Sequence, residues 1–117
     1  MKKPSLFRSF IHSGNGILLA LKEERNIKIH CAALVINIAL ILGLKLDRVD
    51  ASIILICCFM VIGFEVLNTS IEKLCDFVEP NFDKRIGAVK DIAAGAVSIV
   101  CICAVVVGIL IYKTYLF

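Results

Sequence analysis

Charge is scarce in this chain: 20% of its 117 residues are Asp, Glu, Lys or Arg, against 60% that are hydrophobic. A disordered chain shows the opposite balance, so disorder is excluded. A water-soluble monomer is excluded too. Soluble domains run at about 45–50% apolar even with glycine counted, and a fold this small buries too little surface to hide the excess. The length allows one domain. Paired thiol motifs are also missing. Cys31, Cys57, Cys58, Cys75, Cys101 and Cys103 form no C-x-x-C, and all but Cys75 lie inside apolar runs. A free Cys there behaves as a small buried hydrophobe, so packing is the expected role. The one glycine pair that opens like a dinucleotide loop, Gly14 and Gly16, has Leu19 where the third glycine belongs. No cleavable signal is expected, because residues 1–28 hold no clean apolar core followed by a cleavage site.

What the chain does have is three apolar runs. Residues 29–44 are uncharged and interrupted only by His30 and Asn37; residues 51–71 carry one carboxylate, Glu65; residues 92–112 carry no charge. A spanning helix needs about 20 apolar residues. Three transmembrane helices are expected, at about 26–46, 51–75 and 88–112, the first completed by residues 26–28 with Lys28 snorkelling to the surface. Ahead of them, residues 4–24 read as an interfacial amphipathic helix. Phe7, Phe10, Ile11, Leu18 and Leu21 recur on one side, the pattern of a helix lying in the headgroup plane. Ser13-Gly14-Asn15-Gly16 is expected to interrupt it, as a kink or as a place where backbone approaches a phosphate.

Lys and Arg near the span ends set the orientation. Residues 1–28 carry Lys2, Lys3, Arg8, Lys22, Arg25 and Lys28, and the second polar region carries Lys73, Lys84, Arg85 and Lys90. The first loop has Lys45 and Arg48 balanced by Asp47 and Asp50, and the C-terminus has Lys113 alone. The N-terminus and the second loop are therefore expected on the cytoplasmic side. The net charge of +3 is explained by these membrane-end residues, and nucleic acid is not an expected partner.

Glu65 stands out against this background. It lies 14 residues from Ala51, about 21 Å along a helix, which leaves it roughly 9 Å short of the cytoplasmic side of a core about 30 Å thick. A carboxylate at that depth costs about 2.5–3.5 kcal/mol, so function is the default reading. Glu65, Asn68, Glu72 and Asp76 share one helix face, with Thr69 beside them. Like charges so arranged repel unless a cation or protons neutralise them. Mg2+ held by carboxylates and phosphate oxygens suits the pattern. Lys90-Asp91 before the third span and Glu23-Glu24 before the first fall on the same side, and a lysine there can hold a phosphate as a point charge. On these residues alone, an enzyme, an ion pathway and interhelical hydrogen bonding all remain open.

Three blocks then narrow the field: residues 24–30 (E-R-N-I-K-I-H), residues 65–72 (E-V-L-N-T-S-I-E) and residues 90–97 (K-D-I-A-A-G-A-V). In sequence, order and separation they resemble the small prokaryotic diacylglycerol kinases and their undecaprenol kinase relatives, over roughly residues 5–112. The resemblance implies an all-α membrane protein of one lipid kinase domain, residues 1–117, with an interfacial helix and three transmembrane helices in a homotrimeric bundle. It implies transfer of a phosphoryl group from ATP to a membrane lipid alcohol in the bacterial cytoplasmic membrane, with the active site facing the cytoplasm. Glu65 would be the general base and Asn68 would orient the reacting groups, both in contact with the lipid substrate. Glu24 and Glu72 would ligate Mg2+ on the nucleotide. Asp76, Lys90 and Asp91 would bind the nucleotide, Lys90 at the transferring phosphate and Asp91 at the adenosine part. The E-R-N-x-x-I-H block and the turn Val78-Glu79-Pro80 look more like the undecaprenol branch than the diacylglycerol branch.

Overall fold

Helix starts in this chain follow the side chains that can cap them. In the computed structural model, which describes residues 5–117, Ser5 accepts a hydrogen bond from the Arg8 N–H and opens α1, Leu6–Glu23. Asp47 accepts from the Asp50 N–H and opens α3, Arg48–Val78; Asp83 accepts from the Arg85 N–H and opens α4, Lys84–Leu116. Each cap satisfies an amide that the first turn would leave without a partner. The remaining helix, α2, Arg25–Gly43, begins without a side-chain cap. Its start is fixed covalently instead, since a single extended residue, Glu24, separates it from α1. Lys2, Lys3 and Pro4, which belong to the expected basic N-terminus and surface helix, lie outside the described residues.

α1 runs unbroken through Ser13-Gly14-Asn15-Gly16, so the expected interruption does not occur. The Ser13 hydroxyl donates to the Ser9 carbonyl at 2.9 Å, which keeps its polar group within the helix. The chain bends instead at Glu24 (φ −108°, ψ 117°), whose N–H still donates to the Ala20 carbonyl at 2.9 Å. At the other end of α2 the stop is equally local. Lys45 takes a left-handed conformation (φ 55°), and the Leu46 N–H reaches back to the Ile41 carbonyl at 3.1 Å. That closes the helix as a Schellman turn, with lysine where glycine is usual.

α2, α3 and α4 are long and apolar enough to cross a membrane. The 19 residues of α2 make about 28 Å, whereas the 31 of α3 and 33 of α4 make about 46 and 50 Å. A hydrocarbon core about 30 Å thick leaves roughly a third of α3 and α4 outside it. α3 is the central helix: α2 and α4 both pack on it, and α1 touches α2 and α3. Among the described residues α2 and α4 make no backbone approach to each other. They are joined by the Tyr112 hydroxyl, which donates to Asn37 Oδ1 at 2.7 Å. Near that end Tyr115 donates to Asp50 at 2.8 Å and accepts from the Asp47 N–H at 3.0 Å. Between α2 and α4, over α3, the subunit leaves a mainly apolar groove of about 380 Å³.

The buried apolar side chains are few: Ala20, Ile27, Ile54, Val61, Cys75 and Val97. Ile54, Val61 and Cys75 run as a seam along α3, with Ala20, Ile27 and Val97 from α1, α2 and α4. The protein is therefore a thin layer of helices, and the same seam contains its buried polar residues.

Candidate active site

Among the described residues, Glu65, Asn68 and Thr69 are the buried polar ones, with exposures of 5%, 7% and 3%. All three sit on the face of α3 that the three-four spacing selects. Burial affects them differently. The Thr69 hydroxyl donates to the Glu65 carbonyl at 3.0 Å, which satisfies it inside its own helix. Asn68 Nδ2 donates to Glu72 Oε1 at 3.2 Å, but its Oδ1 is buried without a partner. Among the described residues the Glu65 carboxylate receives no hydrogen bond or ion pair. Across from it, Cys101 of α4 lies within electrostatic reach. Asn68 Oδ1 is thus the buried polar atom of this face that its own helix leaves unsatisfied.

Toward the ends of α3 and α4 the groups become charged and more exposed. Glu72 is half-buried, and Asp76 forms an ion pair with Lys90 of α4. Glu72 also lies within electrostatic reach of Lys90. Glu24 is half-buried at the α1–α2 elbow and within reach of Lys73, which is itself paired with Glu23. Residues from the elbow, α3 and α4 thus gather at one end of the molecule. Asp91 stands exposed on α4 beside Lys90. Two hollows flank this end. One of about 310 Å³ runs from Asp76 and Lys90 over the α3–α4 turn to Phe82 and Asp83. The other, about 320 Å³, lies between α1 and α3 and is lined by Ser13, Gly16, Thr69 and Lys73.

The donors at this end fit a hard cation. Glu24 and Glu72 offer carboxylate oxygens, and the unpartnered Asn68 Oδ1 adds an amide oxygen close to Glu72. Among the described residues no three His, Cys, Asp or Glu side chains stand together as a ready-made metal cage. The pairing of Lys73 with Glu23 was not visible in the sequence as part of a site. Its available signal was a lone cation between Glu72 and Asp76 in an acidic stripe.

Fold and site together define a class: a small all-helical, multi-pass membrane protein with carboxylates, an amide and lysines gathered at one end of its long spans. The sequence profile described as prokaryotic diacylglycerol kinase matches residues 11–112. An undecaprenol kinase of Bacillus subtilis is 32% identical over 106 residues, covering 91% of this chain and 86% of that protein. A diacylglycerol kinase of Synechocystis is 32% identical over 106 residues, covering 90% of this chain and 61% of that protein. One from Helicobacter pylori is 29% identical over 91 residues, covering 78% and 71%. The chain belongs to the prokaryotic diacylglycerol kinase family, a family of membrane lipid kinases.

Proposed function

We propose that the protein transfers the γ-phosphoryl group of ATP to the hydroxyl of a membrane lipid alcohol, with Mg2+, and that undecaprenol is favoured over diacylglycerol. The observation that carries this reading is the burial of Glu65 on the face that leads through Asn68, with its unpartnered Oδ1, to Glu72. Glu65 accepts the proton of the lipid hydroxyl. The alcohol oxygen then bonds to the γ-phosphorus while the bond from that phosphorus to the bridging oxygen of ADP breaks. Asn68 orients the incoming oxygen and the phosphoryl group. Glu24 and Glu72 are the residues that hold Mg2+, whose charge offsets that of the phosphates. Lys90 exchanges Asp76 for the transferring phosphate. Asp76 and Asp91 hold the nucleotide, and the hollow beside Phe82 suits its base. Such a reaction needs positioning and charge neutralisation more than covalent catalysis by the protein. It must also occur where a water-soluble nucleotide and a membrane alcohol can meet, which suits a base just inside the membrane and charged groups just outside it.

The site faces the cytoplasm in this reading, as the lysine and arginine distribution supports, and the active unit is a homotrimer. Undecaprenol is supported by the residue 24–30 block, by Val78-Glu79-Pro80, and by the Bacillus relative, whose length the match covers most fully. Diacylglycerol is the second reading, supported by the names of the other two relatives.

The test is phosphorylation of undecaprenol and diacylglycerol side by side by purified protein with labelled ATP. Undecaprenol is expected to be the better acceptor, and equal or reversed rates overturn that preference. Glu65→Gln is expected to lower the rate by about 10²–10⁴-fold, the range for a general base, with helical content and oligomeric state unchanged. Wild-type turnover in that variant removes Glu65 from its role.

A further inference from the structure

The ion pair between Lys73 of α3 and Glu23, the last residue of α1, has no part in the chemistry described above. Three features of the fold give it one. α1 is lightly held: Ala20 is its buried residue, and among the described residues the Lys73–Glu23 pair is the one side-chain hydrogen bond from α1 to α3. Glu23 is followed directly by Glu24, the extended residue of the elbow. The Glu24 backbone is tied on both sides, its N–H to the Ala20 carbonyl and its carbonyl to the Lys28 N–H. Finally, the Lys73 ammonium is also within electrostatic reach of Glu24 and Asp76, and Lys73 directly follows Glu72. One cation therefore stands among the carboxylates that converge from the elbow and from α3.

We propose that Lys73 is a positioning residue. Through Glu23 it pins the α1–α2 elbow against α3 and so sets the Glu24 carboxylate beside Glu72. This rests on the reading of Glu24 and Glu72 as joint metal ligands. Without the pair, the hollow between α1 and α3 has no ionic closure at this end, and the elbow can swing about Glu24. Both partners are about half exposed, with side-chain exposures of 51% and 42%. An ion pair so placed shifts an equilibrium by about 1.5- to 5-fold rather than by orders of magnitude.

The test compares full-length wild type, Lys73→Ala, Glu23→Ala, Glu24→Ala and the charge-reversed double variant Glu23→Lys with Lys73→Glu, all in lipid nanodiscs. Mn2+ binding is read by electron paramagnetic resonance with a non-hydrolysable ATP analogue present, and amide exchange is read over residues 22–28. Lys73→Ala and Glu23→Ala are each expected to weaken Mn2+ binding about 1.5- to 5-fold and to speed exchange at the elbow. The reversed pair is expected to restore both. Wild-type affinity and exchange in the single variants overturn the proposal. So does a reversed pair as impaired as Lys73→Ala, the result expected if the ammonium touches a phosphate directly. Wild-type Mn2+ affinity in Glu24→Ala sinks the ligand assignment itself. Loss in Glu24→Ala with none in Lys73→Ala sinks the positioning role alone.

Discussion

Glu65 and Asn68 are buried on one face of α3, and Asn68 Oδ1 finds no partner inside the subunit. Hydrophobic replacement at such positions is normally favourable, because an unmade hydrogen bond costs about 1–3 kcal/mol. That asymmetry separates a packing role from a chemical one. In Asn68→Ala the bond to Glu72 is lost, but so is an unsatisfied carbonyl, and the two effects nearly cancel. Stability measured by denaturant titration in detergent is therefore expected to change by less than about 1 kcal/mol, while phosphorylation falls at least tenfold. A large loss of stability with activity retained would instead make Asn68 a structural contact. The stripe of residues 65, 68, 72 and 76 was legible from spacing alone, since a helix that holds its period brings three- and four-residue intervals to one side. That Thr69 is satisfied by its own helix while Asn68 is not could not be read that way. It depends on the rotamer each side chain takes and on which of its atoms packing then cuts off from a partner.

Among the elements, the long spans carry their stops and starts locally, and the α3–α4 turn shows how charge enters. The Asp83 carboxyl is held below the usual carboxylate range, first by the hydrogen bond from the Arg85 guanidinium and then by the Arg85 and Ile86 amides. A carboxyl lowered in the folded state stabilises fully above its unfolded value of about 3.9. That contribution is lost as pH falls through the lower folded value. Protection of the amides of residues 85–87 against exchange is expected to drop across that acidic window and to stay flat in Asp83→Asn. The same pH dependence in both proteins would remove Asp83 as its cause. The elements also include the clearest departure from the sequence reading. Ser13-Gly14-Asn15-Gly16 resembles a breaker, yet α1 continues through it and the chain turns at Glu24. Helix propensity is a weak local preference, about 1 kcal/mol per glycine, and a serine bonded to the preceding turn is compatible with the helix. The true bend is at a residue with no breaker signature.

For the whole molecule, the governing quantity is surface. The subunit exposes 8869 Å², whereas a compact monomer of 12.8 kDa exposes about 6300 Å². Lipid covers part of the difference, but the small residues face outward as well. A side chain built at Gly63 or Gly95 meets nothing within 4 Å in the subunit, and Ala94 and Ser98 are exposed. Small residues let membrane helices approach closely, so this surface supports the proposed homotrimer. Gly95→Leu is expected to leave the helical content of the subunit intact while cross-linking in nanodiscs shifts from trimer to monomer and activity falls with it. A trimer that survives this change places the subunit contact elsewhere.

The sequence by itself determined the solvent, the number of spans and the chemistry on offer. Apolar runs of fixed length can only lie in a bilayer, and polar residues inside them must share a helix face when their intervals match the helical turn. Tertiary structure decided the rest, because it depends on distances between elements far apart in the chain. It made α3 the central helix, left Asn68 Oδ1 buried without a partner, joined Lys90 to Asp76, and tied Lys73 to Glu23 across 50 residues. Charge, the scarcest property of the chain, is placed by sequence at the membrane ends; only folding brings the elbow carboxylate Glu24 within reach of Lys73 of α3.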